Sequence, residues 1–321
     1  MDLELSQDQK LIKDMVRKFA AQELEPIASE IDKKQQFPLE NIKKIAELGL
    51  LGMTVPEEYG GTALDTVSFA VAIEALSQVC ASTGLIVAVH NSLGIYPIYL
   101  YGSEEQKRKY LIPLTKGEKL IAFGLTEPYV GNDLENMETK AFVDGNFYVV
   151  NGRKSFVTNG IVAAVYTIFA KVENSVSAFI VERNSEGLEV IKCENLIGMR
   201  GSGACNLIFE NLKIPKENLL GKIGDGSTIV REALNLACIG LAAVSVGIAQ
   251  AALDVAIQYS KERQQFGRPI CKFPMVQEML TDMATKILSS RLLTYDAALK
   301  RDSGKSFDKE AMMAKLCASD A

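Results

Sequence analysis

From Thr228 to Arg263 the chain runs through roughly 36 residues of mostly Ala, Leu, Ile and Val with no proline. At 1.5 Å per residue such a helix is about 54 Å long. It is apolar around most of its circumference, so other helices must bury it, from this chain or from another subunit. A second helix is predicted from about Met275 to Arg301, after Pro274, and a third from near Asp308 to the last residue, Ala321. Two long helices and a third still running at Ala321 leave one apolar face without a partner. The sequence is therefore expected either to be cut short or to be completed by a neighbouring subunit.

The residues before this helix change period twice. From the start to about residue 118, apolar positions recur at helical spacing, as in Leu11, Ile12, Met15, Val16 and Phe19. Ser6 with Gln9, and Ser103 with Gln106, form capping boxes. Pro38 suits a first helical turn, Gly49 a helix stop, and further helices are predicted over Thr66–Val79 and Thr83–Leu93. Between about 119 and 215 the pattern becomes seven short β-branched and aromatic runs: LIAFGLTE, NFYVVNG, KSFVTNG, AVYTIFAKV, SAFIVER, LEVIKCE and NLIFENLKI. Asp144-Gly145 marks a hairpin between two of them. Such strands, with no long helix between them, predict a small antiparallel barrel or sandwich.

Composition narrows the chemistry. The net charge of −5 argues against a nucleic-acid binder, which would carry a basic stripe. The one histidine, His90, cannot build a multi-histidine zinc site, and on its apolar helix it reads as a core or interface residue. None of the six cysteines forms a C-x-x-C pair, and they suit a reducing compartment. The glycine clusters Gly198, Gly201, Gly203 and Gly221, Gly224, Gly226 lack the G-x-G-x-x-G order and read as turns. The apolar runs near Gly84–Val89 and Ile239–Ala252 are broken by Gly, Ser or Gln and read as too short to span a membrane. The N-terminus begins with acids, unlike a targeting segment. A soluble intracellular chain is expected, its chemistry resting on carboxylates, backbone groups or a bound cofactor.

Several strings in this order carry a resemblance: FPLENIKKIAELGLLGMTVPEEYGG, ASTGLIVAVHNSLG, GSEEQKRKYLIPLTKGEKLIAFGLTEPYVGND, NGRKSFVTNG, LIGMRGSGACNLIFENLKIP, GIAQAALDVAIQYSKERQQFGRPI and EAMMAKLCASDA. Over essentially its whole length the chain resembles the acyl-CoA dehydrogenase family of flavoenzymes, nearest the short-chain and branched-chain members. The resemblance implies a multidomain α + β fold. An N-terminal all-α domain (1–118) precedes a middle antiparallel β-barrel (119–225) and an incomplete C-terminal helical bundle (226–321). It implies FAD-dependent α,β-dehydrogenation of an acyl-CoA thioester, with electrons passed to electron-transferring flavoprotein. It also implies a homotetramer, cytoplasmic in a bacterium or in the mitochondrial matrix for a processed eukaryotic chain.

Site residues follow from the matched strings. FGLTEPYVGN matches the flavin-binding loop, bringing Phe123, Leu125, Thr126, Gly131 and Asn132 to the cofactor. Tyr129 and Asn132 depart from the small residue and the Ser or Thr usual there, which puts the substrate contact of Asn132 in doubt. Phe156, Val157 and Thr158 match the aromatic-x-Thr/Ser string that covers one flavin face. Arg263, Gln265 and Phe266 match the R-x-x-F-G string, whose guanidinium suits a pyrophosphate. Further along, Phe273-Pro274 replaces a Phe-Gln pair, and Gln277 is the expected substitute. On the long helix, some members carry the catalytic Glu where Ala237 stands, and Asn235 and Cys238 take the neighbouring substrate-contacting positions. Most other members carry that Glu beyond the KLCASDA string. No catalytic base is found in this chain. A non-catalytic homologue binding flavin or acyl-CoA, or an enoyl-CoA reductase on the same scaffold, is the alternative.

Overall fold

A computed structural model describes residues 4–193 and 195–321. Helices come first in the chain: α1 Gln7–Phe19, α2 Ala28–Lys34, α3 Leu39–Glu47, α4 Thr66–Val79, α5 Ala81–Val89, α6 Tyr96–Tyr101, α7 Glu104–Gln106 and α8 Ile112–Thr115. Eight strands follow: β1 Ile121–Gly124, β2 Lys140–Asp144, β3 Phe147–Val157, β4 Val165–Val172, β5 Ser175–Glu182, β6 Leu188–Lys192, β7 Cys205–Pro215 and β8 Leu219–Leu220. The chain then forms α9 Gly226–Glu262, a small hairpin of β9 Gln264–Gln265 and β10 Arg268–Pro269, α10 Pro274–Asp302 and α11 Asp308–Asp320. Packing divides it into two compact units, one of Met1–Ala28, Asp65–Leu85 and Cys238–Ala321, the other of Ser29–Leu64 and Ile86–Ala237.

The first unit is a helical bundle. The predicted capping box is present at Ser6 and Gln9, and Gln9 Nε2 also donates to Asp65 Oδ2 at 3.0 Å. Asp65 in turn caps α4 by accepting from the Ser68 amide. Almost every residue of α4 is buried. Its one buried acid, Glu74, accepts from Arg291 Nε at 3.1 Å and from the Tyr295 hydroxyl at 3.3 Å. Gly247 of α9 lets that helix touch α4, for a Cβ there would lie 2.5 Å from the Glu74 carbonyl oxygen and 2.8 Å from Ser77 Cβ. Ala242, Val246, Leu253, Ile287, Ala314 and Ala318 form the apolar centre. Burial of the long helix is incomplete, however. Val255 is 69% and Tyr259 57% exposed, as are Met275, Met279, Met312 and Leu316 on α10 and α11.

In the second unit, strands lie in the order β6-β7-β3-β2-β4-β5-β8, with β1 also paired to β4. The expected antiparallel pairing holds except at β1–β4 and β2–β4, which are parallel. NFYVVNG and KSFVTNG, read as two strands, are one 11-residue strand. The Asn-Gly signal inside it is a β-bulge rather than a turn. Gly152 there has φ +151°, and a Cβ would lie 2.5 Å from Thr139 Oγ1. β2 was not predicted because four of its five residues face solvent and lack an apolar alternation. Asp144-Gly145 does form a hairpin turn, with Asp144 paired to Phe147, but it joins β3 to the unpredicted β2 rather than to another of the seven runs. Aromatic pairs Phe123–Phe169 and Tyr148–Phe179 fill the two faces of the sheet at centroid distances of 4.9 and 5.0 Å.

The stretches Ala81–Tyr101 and Gly226–Glu262 are, by length and composition, apolar enough to cross a membrane, contrary to the sequence reading. Within the fold both are core helices with more than half of the apolar window buried. His90 is fully buried, as its apolar surroundings predict, in a π-helical turn His90–Ile95. Its Nε2 donates to the Leu114 carbonyl at 3.1 Å, while Nδ1 has no partner among the described residues.

Two outcomes follow for stability. Burial lowers the His90 imidazole to about 4, outweighing the opposing hydrogen bond to Leu114. The native state then binds fewer protons than the unfolded chain between the ordinary value of 6.5 and about 4. Stability should fall as pH drops through that window, by up to about 3 kcal/mol. Denaturant titrations at several pH values should show this loss in the parent but not in His90→Gln; equal pH slopes would contradict it. Gly247→Ala should destabilise the bundle by about 1–3 kcal/mol in urea unfolding, because the added methyl overpacks the α4–α9 contact.

Candidate functional site

β1 ends at Gly124, and the chain then leaves the sheet through Leu125, Thr126 and Glu127 before returning at β2. This loop is anchored by a sealed ion pair. Lys154 Nζ lies 2.7 Å from Glu127 Oε1, with the two side chains 0% and 2% exposed. The same ammonium donates to the Leu125 carbonyl at 3.2 Å. Glu127 accepts from the amides of Glu138 at 2.6 Å and Thr139 at 3.1 Å. Burial alone would raise the Glu127 carboxyl, but the Lys154 charge and these hydrogen bonds together hold it below its ordinary value. Burial also dominates at Lys154, taking the ammonium down to about 8 against the pull of Glu127.

Next to the pair, the Ser155 amide donates to the Thr126 carbonyl at 2.8 Å. The loop is thereby joined to the end of β3, where Phe156, Val157 and Thr158 follow. Phe156 has φ +55°, a left-handed backbone that is a true outlier for an aromatic residue. Its amide is held by Asn206 Oδ1 at 3.3 Å, and its ring is 69% exposed. Strain of this kind costs about 1–3 kcal/mol and persists only where surrounding contacts impose it. Here it turns a large ring toward solvent instead of into the core. Val157 is buried, Thr158 is half-buried and Thr126 is exposed. Neither threonine hydroxyl is hydrogen-bonded to another described residue.

Thus one group of the sequence-derived residues is brought together by the tie between Thr126 and Ser155: Leu125, Thr126, Phe156, Val157 and Thr158, while Phe123 is buried two residues before Leu125, on β1. Gly131 and Asn132 lie further along the loop and are exposed, and a Cβ at Gly131 would meet nothing within 4 Å. Tyr129 is 87% exposed. An aromatic ring held outward beside unused threonine hydroxyls fits the face and edge of a planar, polar-rimmed ring such as a flavin.

A second group forms in the helical unit. Phe266 and Gly267 connect β9 to β10, both at positive φ (+51° and +75°), the requirement of a type I′ turn. The Phe266 ring is 92% exposed and meets Phe273 edge-on at 6.2 Å. Arg268 stacks over Phe273 at 4.5 Å. Arg263 directly follows α9, exposed and with no ion pair to any described residue, and Gln265 is exposed on β9. Pro274 stands at the first position of α10, where a missing amide leaves no bond unmade. Gln277 is exposed on the next turn, and its Nε2 donates to the Cys271 carbonyl at 3.0 Å. A free guanidinium beside exposed amides fits a phosphate group.

On α9, Asn235 and Ala237 are buried and Cys238 is half-buried, its thiol raised by burial. All six cysteines are free thiols. The sequence reading missed Glu127, Lys154 and Asn206. A lysine on a strand and a glutamate before a proline look like surface residues until the fold puts both in one buried site.

Sequence models of the acyl-CoA dehydrogenase N-terminal, middle and C-terminal domains match residues 6–118, 122–212 and 224–321. A short-chain specific acyl-CoA dehydrogenase of Clostridium acetobutylicum is 43% identical over 100% of this chain and 86% of its own length. Butyryl-CoA dehydrogenase from Megasphaera elsdenii superposes with a TM-score of 0.97 at 38% identity, covering 100% of this chain and 86% of that one. A chain in the structure of the electron transferring flavoprotein of Acidaminococcus fermentans, solved in work on flavin-based electron bifurcation, gives a TM-score of 0.97 at 46% identity with the same coverage. The chain belongs to the acyl-CoA dehydrogenase family. Its acyl-CoA dehydrogenase homologues are oxidoreductases acting on the CH–CH bond of acyl-CoA, and the family's cofactor is FAD.

Removing either partner of the sealed pair should be costly, because an uncompensated buried charge remains. Glu127→Ala or Lys154→Ala is expected to lower unfolding free energy by about 3–5 kcal/mol. Chemical denaturation checks this, and a loss below about 1 kcal/mol, typical of an exposed pair, would contradict it.

Proposed function

We propose that this chain catalyses FAD-dependent α,β-dehydrogenation of a short-chain acyl-CoA and passes the electrons to an electron-transferring flavoprotein. The observation that carries the reading is the outward, strained Phe156 ring set beside Thr126 and Thr158. This is a built platform for a planar cofactor, in a chain whose relatives are short-chain and butyryl-CoA enzymes.

In this reading Phe156 covers one face of the isoalloxazine, and the Thr126 and Thr158 hydroxyls donate to or accept from its polar rim. Val157, buried in the sheet core, anchors this end of β3. Arg263 and Gln265 would hold the pyrophosphate of the FAD carried by a neighbouring subunit, as the family resemblance implies. FAD supplies the hydride acceptor when it is bound. The substrate's α-proton next to the thioester must go to a positioned carboxylate, and donors on the carbonyl oxygen stabilise the charge that develops there. Ala237 offers only a methyl group, so α9 does not supply that carboxylate at this position. The exposed Met275, Met279, Met312 and Leu316 support a homotetrameric assembly that covers them.

Buried Ala237 favours a second reading, in which the chain binds flavin or acyl-CoA without dehydrogenating it, or works as an enoyl-CoA reductase. Anaerobic addition of butyryl-CoA to the purified flavin-loaded protein separates the readings. Bleaching of the flavin, with electrons then delivered to an electron-transferring flavoprotein, is the result that dehydrogenation requires, and it would assign the base to a carboxylate other than position 237. A flavin left oxidised would support the second reading, and a protein that takes up no FAD would contradict both. Phe156→Ala should weaken FAD binding about tenfold, by loss of ring contact, while thermal stability is unchanged, because the ring is 69% exposed and Ala keeps the Cβ that strains the backbone. Fluorescence titration with FAD reads the first and a melting curve the second.

A further inference from the structure

We propose that Glu127 and Lys154 are positioning residues for the cofactor, setting the backbone of residues 125–127 so that Thr126 meets the flavin edge in one fixed register with Phe156. This rests on the FAD reading above and names the device by which the site is held.

The geometry points to that role in three ways. First, one carboxylate closes the whole loop. It takes Lys154 at 2.7 Å where the loop departs and the amides of Glu138 and Thr139 where it returns. Second, the ammonium works on the loop as well as on the carboxylate, donating to the Leu125 carbonyl at 3.2 Å. The next residue on β3, Ser155, donates to the Thr126 carbonyl. Three consecutive loop residues are therefore each tied to the same two-residue step of β3, immediately before Phe156. Third, the residue so fixed is not itself a core residue, since Thr126 is exposed.

A fold needs no buried charge for stability, because apolar side chains of similar volume usually serve as well or better. What an apolar pair cannot do is direct backbone carbonyls and amides. Hydrogen bonds to ionised groups are short and directional, and positioned groups are effective only when a second layer of contacts holds them.

The test uses the full chain carrying Glu127→Leu together with Lys154→Met, which keeps volume and removes both charges. Its unfolding transition should stay near the parent's. Amide exchange across residues 125–139 should accelerate at least about tenfold, with β4 and β5 unchanged. FAD affinity should fall at least about tenfold, with a shift in the flavin absorption band and midpoint potential. Either readout left at the parent's value in the folded variant overturns the proposal. If the double variant does not fold, Glu127→Gln, which keeps the shape and drops the charge, takes its place. Faster exchange with weaker FAD binding then supports the proposal, and a parent-like value of either overturns it. A parent chain that takes up no FAD would overturn the FAD reading instead, and the exchange rates would still decide whether the pair orders the loop.

Discussion

The contact on which the candidate site depends is the ion pair between Glu127 and Lys154, sealed from water between β1 and β3. Sealing a carboxylate and an ammonium is tolerated only where the charges are paired and further hydrogen bonds surround them. The structure meets that demand with backbone: the Leu125 carbonyl and the Glu138 and Thr139 amides. The desolvation of two charges is thereby converted into a fixed path for a loop that would otherwise carry few constraints. Thr126 and the return to β2 follow from it.

Backbone strain tells a related story. Nine non-glycine residues among those described have positive φ, and only Phe156 and Phe266 among them are aromatic. Both rings are more than two-thirds exposed. An asparagine visits this region at little expense, as Asn159 and Asn211 do here, but a phenylalanine does not. Twice the chain places a strained aromatic at the surface, and both lie in strings that resemblance assigns to the cofactor. The Phe266 conformation serves its two-residue turn, whereas Phe156 is strained with its ring in solvent, a feature that the flavin reading accounts for.

Much of the fold could be read from the residues. Caps at Ser6 and Ser103, the helix Thr66–Val79, the long α9 and the run after Pro274 all carry local signals, and each element is present. What failed was long-range. The Asn-Gly at 151–152 signals a turn locally, yet tertiary contact with Thr139 makes it a bulge within one strand. The parallel pairings of β1 and β2 with β4 depend on partners far apart in sequence. At the site, the motif residues Thr126, Phe156 and Arg263 were legible because family strings contain them. The pair beneath them was not, because only burial distinguishes Lys154 from the many lysines on the surface. Asn206 was hidden in the same way, its amide oxygen reaching a backbone N–H some 50 residues away.

The central claim is that the Phe156 platform is a flavin site. A crystal structure of the protein grown with FAD tests it most directly. The account predicts the isoalloxazine against the Phe156 ring, its polar rim within hydrogen-bond reach of Thr126 and Thr158. A flavin bound elsewhere, with Phe156 still facing solvent, would contradict it.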